Sequence, residues 1–291
     1  MLKGYQKNNS IYSMKFIFLT ILFVQIFSMN IWCSEVFYSD NELRSKFSKL
    51  CKDEIVPEII TRNFDILETQ EYKNEIRSYE KDINIFLNNI KNYTDTDSRK
   101  GTDLSNLSHL LGYKLNNYPL ALKYAELADK CKSWCGTCRE GRCDKIIMFN
   151  IHLGNVQKAR DEINKLPERD KKNKFQILDY KIKRLSLLEK YSKRENIPEN
   201  FLIMILCYDS LSENLLKLVK LKEFAKKYKE HLKVLNGDIQ YEIACTYRDI
   251  ENYNQARIEY VILEKNYLQN VYVKNNKIKE ILNDLEGKIK K

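Results

Sequence analysis

Residues 238–268 read DIQYEIACTYRDIENYNQARIEYVILEKNYL, and the sequence predicts two consecutive amphipathic helices within them. Small and apolar side chains recur at helical spacing in both halves, namely Ile243, Ala244 and Tyr247 and then Ala256, Tyr260 and Leu263. Asn252 interrupts the pattern between the halves. The stretch therefore predicts one antiparallel helix pair, in which small residues at 244 and 256 let the two helices approach closely.

The same stretch resembles the tetratricopeptide (TPR) repeat, whose pattern is W-x2-L-G-x2-Y, then A-x3-F, then P. The corresponding residues here are Ile243-Ala244 for L-G, Tyr247 for Y, Ala256 for A and Tyr260 for F, with Gln240 and Leu268 in place of the W and the P. The resemblance implies stacked helix pairs with a concave groove, lined by the first helix of each pair, that binds a peptide or protein partner. Carried onto this chain, it implies partner-binding residues at Tyr241, Arg248, Asp249, Tyr113 and His152.

Related patterns occur upstream of this stretch. The order Asn, three residues, Ala appears at 117–121, at 155–159 and at 252–256, and Ala121 and Ala159 are 38 residues apart. A weaker copy lies around Ala225. These copies predict an all-α chain, a TPR-like α-solenoid of degenerate antiparallel helix pairs.

Composition agrees with the all-α class. Only 8 Gly and 4 Pro occur in 291 residues, which argues against a sheet-rich fold. The formal net charge is +10, but basic and acidic residues alternate along almost every segment, which is typical of solvated helix surfaces. We therefore expect no nucleic-acid partner, while attraction to an anionic membrane surface stays open.

The N-terminal residues 1–34 predict a signal peptide or a membrane anchor. The apolar run FIFLTILFVQIF from Phe16 to Phe27 has the length of a signal-peptide core and is short for a bilayer span. Cys33 ends the apolar region and is a candidate lipid-anchor site, although the bulky Trp32 departs from the small residues of a lipoprotein cleavage box. The expected location is an exported one, membrane-anchored, periplasmic or within a secretory compartment, with the membrane contacted through this segment.

The remaining chain divides into three predicted parts. Residues 35–93 form an N-terminal helical segment, the polar residues 94–103 form a linker, and residues 104–291 form the TPR-like repeat domain. Within the repeat domain Pro198 is predicted to open a single helix that runs through Val219.

Four cysteines between the first two predicted helix pairs form the one cluster with chemical potential. They are Cys131, Cys135, Cys138 and Cys143, spaced C-x3-C-x2-C-x4-C within a Cys-rich insert at 131–143. In an exported chain they predict disulfides, and four thiolates could instead hold zinc. An iron–sulfur cluster and free thiols are further alternatives.

No catalytic constellation is evident, and the chain is not expected to be an enzyme or to act on a small-molecule substrate. The three histidines are far apart without metal spacing, and neither a Gly-rich phosphate loop nor a G-x-S-x-G motif occurs. No cofactor is expected apart from zinc at the cysteine cluster. The leading hypothesis is an exported or membrane-tethered TPR-like adaptor. The alternatives are a metal-binding or thiol-redox protein centred on Cys131–Cys143 and a structural envelope component.

Overall fold

The computed structural model describes residues 40–57, 60–94, 97–131 and 136–289, without the side chains of residue 40 and of residues 136–142. The predicted signal or anchor segment at 1–34, including Cys33, lies outside the described residues, as does Cys135. The chain divides into two compact units, residues 1–43 and residues 44–291. Of the first unit only the start of one helix, from residue 40, is described.

The second unit is all-α over its described residues, as the sequence predicts. The helices are α1 Asp40–Asp53, α2 Gln70–Ile76, α3 Glu80–Asn92, α4 Ser98–His109, α5 Tyr118–Asp129, α6 Gly136–His152, α7 Val156–Asn164, α8 Glu168–Ser192, α9 Pro198–Ser210, α10 Asn214–Lys227, α11 Leu232–Leu235, α12 Asp238–Asp249, α13 Tyr253–Asn266, α14 Val271–Lys274 and α15 Lys277–Ile289. A π-helical turn at Leu110–Lys114 extends α4. Within the described ranges none of these helices has the length and hydropathy to span a bilayer.

Four helix pairs can be recognised in the described chain: α4 with α5, α6 with α7, α9 with α10, and α12 with α13. Each pair turns at a residue with a left-handed backbone: Asn116 (φ 53°), Gly154 (φ 78°), Ser212 (φ 61°) and Glu251 (φ 65°). The residue after the turn donates its N–H back to the end of the first helix, as in Asn155 to Asn150 O and Asn252 to Tyr247 O, both 2.9 Å. This shared turn indicates a helical-repeat fold.

The pair α9–α10 corrects the prediction of one helix from Pro198 through Val219. Ser212 and Glu213 break that helix, and they stand 39 residues before Glu251 and Asn252 of the last pair. Lys217 lies 39 residues before Ala256 and therefore occupies the equivalent position in this repeat. The weak copy predicted around Ala225 lies eight residues beyond that position. The repeat is hard to recognise in the sequence because a buried lysine stands where the other repeats have a small residue. The carboxylates of Asp209 (2.7 Å) and Glu242 (3.0 Å) neutralise the charge of Lys217.

The structure also differs from the predicted linker at 94–103. Helix α4 begins at Ser98, and the Asp97 carboxylate accepts the N–H of Arg99 at 2.8 Å as an N-cap. The polar first turn of a capped helix has the composition of a linker, which explains the difference over residues 98–103.

Small residues lie where helices cross, as predicted. Ala121, Ala159, Ala244 and Ala256 are all fully buried. A Cβ added at Gly112 would lie 2.2 Å from Cε1 of Phe149, so this position also needs a missing side chain. Close helix approach at such positions accounts for the pairwise packing.

The connections between successive pairs repeat as well. A short helix, α11 or α14, is capped by His231 or Asn270 and ends before Gly237 (φ 79°) or Asn276 (φ 56°). Both the caps and the left-handed residues are 39 residues apart. Helix α15 therefore stands where the first helix of another pair would begin.

Candidate functional site

Residues 60–79, which we call the strap, lie along the turns of the helix pairs. The strap touches the turn end of every pair in the described chain. Ile60 packs on Gly154, and Arg62 bonds to His152 and Glu213. The Tyr72 hydroxyl donates to Leu115 O (2.8 Å), and the Tyr79 hydroxyl donates to Ile250 O (3.4 Å). Farther along, the Tyr247 hydroxyl donates to the Glu75 carboxylate at 2.8 Å. The strap is thus an integral part of the repeat array.

Backbone chemistry explains why the strap binds there. The last carbonyls of an α-helix have no partner within the helix. Strap side chains supply donors to the carbonyls of Leu115, His152 and Ile250, and Lys181 of α8 donates to Leu211 O at 3.1 Å. Each first helix of a pair is therefore capped by a side chain from outside that pair.

Arg62 of the strap belongs to a group of four ionisable residues, which we call the buried cluster. Its other members are the buried His152 and Glu213 and the partly buried Lys181. The Arg62 guanidinium bonds both oxygens of Glu213, at 2.6 and 2.9 Å. His152 Nδ1 lies 2.6 Å from Glu213 Oε1, and Lys181 Nζ lies 3.2 Å from His152 Nε2. The cluster joins the strap, α6, α8 and the α9–α10 turn.

The hydrogen bonds fix the tautomer of His152. Lys181 can only donate, so Nε2 accepts and Nδ1–H donates to Glu213. Burial lowers the pKa of His152 to about 4, against the opposing effect of Glu213. Burial alone would raise the pKa of Glu213, but Arg62 and His152 lower it to about 2. The imidazole is therefore neutral, and the ring of Tyr118 stacks on it at 4.3 Å between centroids.

We expect the free energy of unfolding to fall as the pH drops from about 6.5 to about 4. Unfolded His152 takes up a proton at its ordinary pKa, whereas the folded imidazole resists protonation down to about 4, so acid favours the unfolded chain. Between pH about 4.5 and about 2 the free energy of unfolding should fall further, because the pKa of Glu213 is also lower in the folded protein than in the unfolded chain. Urea titrations across this range would measure the slope. In the matched variant His152→Asn the free energy of unfolding should depend much less on pH between about 6.5 and 4. An unchanged slope in that variant would contradict the assignment of this pH dependence to His152.

A groove of about 910 Å³ opens beside the buried cluster, between the strap and helices α8, α9 and α10. Its floor is mostly apolar, formed by Leu185, Leu188, Met204, Tyr208 and Val219. Arg62 reaches it from the cluster, and the strap contributes one wall. The groove has the size and the mainly apolar lining of a binding site.

The rim of the groove carries charges of both signs. Lys220 lies 2.8 Å from Glu223 and 3.5 Å from Glu195, and Lys193 lies 3.1 Å from Glu189. Among the described rim residues there are five acidic side chains: Asp65, Glu71, Glu189, Glu195 and Glu223. Four lysines stand against them, Lys193, Lys220, Lys222 and Lys226. Arg62 also borders the groove, but buried Glu213 neutralises its guanidinium. The charges of the rim are therefore nearly balanced.

Comparison with protein-family models, with curated proteins and with solved structures finds no match for this chain. The assignment of a site therefore depends on the sequence and the geometry.

The residues predicted to bind a partner do not line this groove. Tyr241 stacks on Tyr272 at 3.8 Å and 8°, so one face of its ring is covered. Arg248 and Asp249 lie 3.7 Å apart on α12, both partly exposed, and burial raises the pKa of Asp249.

The other two predicted residues lie elsewhere. Tyr113 is 41% exposed and tilts against Phe149 at 5.4 Å. His152 is only 4% exposed, so its contacts are internal to the buried cluster and not part of an accessible surface. The role of all five residues in partner binding stays a prediction.

The predicted cysteine cluster falls largely on residues that are not described, since Cys135 and the side chain of Cys138 lie outside them. Cys131 and Cys143 are both partly exposed. Across 40–57, 60–94, 97–131 and 136–289 no disulfide and no metal-binding group of His, Cys, Asp or Glu occurs. Disulfide and zinc both stay predictions for the insert.

Sequence reasoning missed Arg62, Lys181 and Glu213. The 39-residue period could have found Glu213, because it stands where Asn252 stands in the next repeat. Arg62 and Lys181 have no such signal, since one lies in irregular chain and the other in a long polar helix.

Proposed function

We propose that this protein is an exported or membrane-tethered helical-repeat adaptor that binds a segment of a protein partner in the groove between the strap and α8–α10. The observation that carries the proposal is the groove itself, with its apolar floor and its nearly charge-balanced rim. The export or tethering is inferred from the apolar run at Phe16–Phe27.

The rim favours a protein segment over a polyanion. Nucleic acids bind to surfaces on which basic groups outnumber acidic ones, whereas here each rim lysine has an acidic neighbour. A peptide offers apolar side chains for the floor together with backbone and charged groups for the rim.

The buried cluster supports the groove and takes no part in chemistry under this proposal. Its charged groups are paired with one another or with backbone carbonyls, and the guanidinium of Arg62 donates to the Glu213 carboxylate and to His152 O. Because Arg62 also fixes the strap, the cluster sets the width of the groove. The protein is accordingly proposed to be a non-enzymatic binding module.

Crosslinking in the protein's own compartment would test the proposal. A photo-reactive amino acid at Asp65, an exposed position on the strap wall, should capture one defined partner. The variant Glu189→Trp, which fills the groove, should abolish that capture. Glu286→Trp is the matched control, because Glu286 is half-exposed on α15 away from the groove lining. Capture that persists in Glu189→Trp would overturn the proposal.

A further inference from the structure

Three connections between helices lie side by side at the ends of the helix pairs opposite their turns. They are residues 193–197, 228–237 and 267–276 of the described chain. The Tyr228 hydroxyl donates to Glu195 O at 2.7 Å, and Asn270 donates to Asn236 O at 2.9 Å, so each connection is hydrogen-bonded to the next. We call this row of connections, with the helix ends at 226–227 and 264–266 and the helix starts Asp238 and Lys277, the loop edge.

The loop edge exposes large aliphatic side chains. Five of them are more than two-fifths exposed: Ile197 (53%), Leu232 (41%), Leu235 (53%), Leu268 (66%) and Val271 (55%). Every connection contributes at least one, and Leu232 and Val271 occupy equivalent positions in the 39-residue repeat. A single exposed leucine needs no explanation, but a row of them along one edge does.

The loop edge is also strongly basic. It carries nine basic residues: Lys193, Arg194, Lys226, Lys227, Lys229, Lys233, Lys265, Lys274 and Lys277. Against them stand four acidic residues, Glu195, Glu230, Asp238 and Glu264. Lys226 is 80% exposed and Lys193 is 71% exposed, so the charge reaches solvent.

The opposite edge has the reverse charge. The four turns at 110–117, 152–156, 209–214 and 249–253 contain Lys114 and four acidic residues, Asp209, Glu213, Asp249 and Glu251. Arg62 neutralises the buried Glu213, so three acidic residues remain against one lysine. The repeat array is therefore polarised across its width, positive at the loop edge and negative at the turns. This asymmetry would orient the protein in front of a negatively charged surface.

We propose that the loop edge docks on the surface of an anionic lipid bilayer, with its aliphatic tips inserted at the headgroup level and its lysines among the lipid phosphates. Lysine next to exposed aliphatic side chains is typical of membrane-surface binding. Lysine is depleted at protein–protein interfaces, which makes an acidic protein the weaker candidate. The loop edge adjoins the groove, and the two share Lys193, Glu195 and Lys226. The five exposed aliphatic side chains and the other basic residues of the loop edge lie outside the groove lining, so the inference does not depend on the proposed partner.

Tryptophan fluorescence in the full-length protein would test this directly. In Leu268→Trp the new indole stands at the most exposed aliphatic position of the loop edge. Vesicles of phosphatidylglycerol and bromine-labelled phosphatidylcholine should quench it, and vesicles of the labelled phosphatidylcholine alone should not. Leu120→Trp is the matched control, since Leu120 is 42% exposed on α5 near the negative turns, and its indole should stay unquenched. The unmodified chain supplies the background from the two native tryptophans.

Charge reversal supplies the second measurement. Each lysine near an anionic bilayer contributes about a fivefold gain in partitioning. The double variant Lys229→Glu with Lys274→Glu, at two exposed positions outside the groove lining, should therefore weaken the binding of Leu268→Trp, monitored by quenching, at least about 25-fold. Equal quenching at positions 268 and 120, or quenching that ignores the anionic lipid, would overturn the inference. An indole at 268 that responds to a polyanionic protein but not to vesicles would assign the edge to a protein partner and would also overturn it.

Discussion

Replacing Arg62 with methionine should lower the free energy of unfolding by about 3–5 kcal/mol, because it leaves the Glu213 carboxylate buried without its cation. Glu213 is fully buried, and the side chain of Arg62 is only 4% exposed, so solvent cannot replace the lost partner. The same change removes the donor to His152 O and frees the strap from the α6 turn. Urea unfolding of the full-length protein, followed by circular dichroism, would measure the loss.

A double-mutant cycle separates the ion pair from simple loss of packing. Glu213→Leu alone should also be strongly destabilising, because it leaves the Arg62 guanidinium buried without its carboxylate partner. Combining Arg62→Met with Glu213→Leu should recover a large part of the loss, since an apolar pair of similar volume replaces a buried ion pair at little cost. A loss within about 1 kcal/mol for Arg62→Met, the range of an exposed ion pair, would contradict the buried-cluster assignment.

Replacing Gly154 with alanine should cost about 3 kcal/mol. Its φ of 78° strains any L side chain, and the new Cβ would lie 2.5 Å from the backbone oxygen of Ile60. The α6–α7 turn and the strap cannot both keep their positions. Hydrogen exchange should therefore show faster exchange in residues 60–79 in addition to the lower midpoint of urea unfolding.

Gly287 offers the matched control for this change. Its added Cβ would meet nothing within 4 Å, and it lies within α15. Gly287→Ala should leave the strap unchanged and stabilise the protein by about 0.5–1 kcal/mol, the helix preference of alanine over glycine. Equal losses from Gly154→Ala and Gly287→Ala would show that the strap does not depend on the α6–α7 turn.

The sequence predicted those parts of the fold in which local pattern and tertiary packing agree. In the pair at 238–268 the periodicity, the small residues and the Asn252 turn point to one geometry, and the structure confirms a helix pair there. The pair α9–α10 was missed because Lys217 replaces the small residue and Glu213 replaces the asparagine that follows the turn in the other three pairs. Both departures are local, and tertiary ion pairs compensate for the first.

The candidate site was much less accessible to sequence reasoning. The Arg62–Glu213 pair joins residues 151 positions apart in the chain, and no local sequence pattern predicts such a contact. The resemblance to TPR repeats placed binding residues on the first helix of each pair, while the groove lies between the strap and α8–α10. The strap has the irregular composition of a connecting segment, and its role becomes visible only once the turns are in place.

The strap also sets the order in which this chain can be completed. Repeat arrays commonly fold by adding each unit to its neighbour, because their contacts are short in sequence. Here Tyr79 bonds to Ile250, 171 residues away, and Glu75 bonds to Tyr247, 172 residues away. A ribosome must therefore synthesise nearly the whole array before Glu75 and Tyr79 find their partners, whereas Tyr72 can bond to Leu115, only 43 residues away, as soon as the first helix pair is complete.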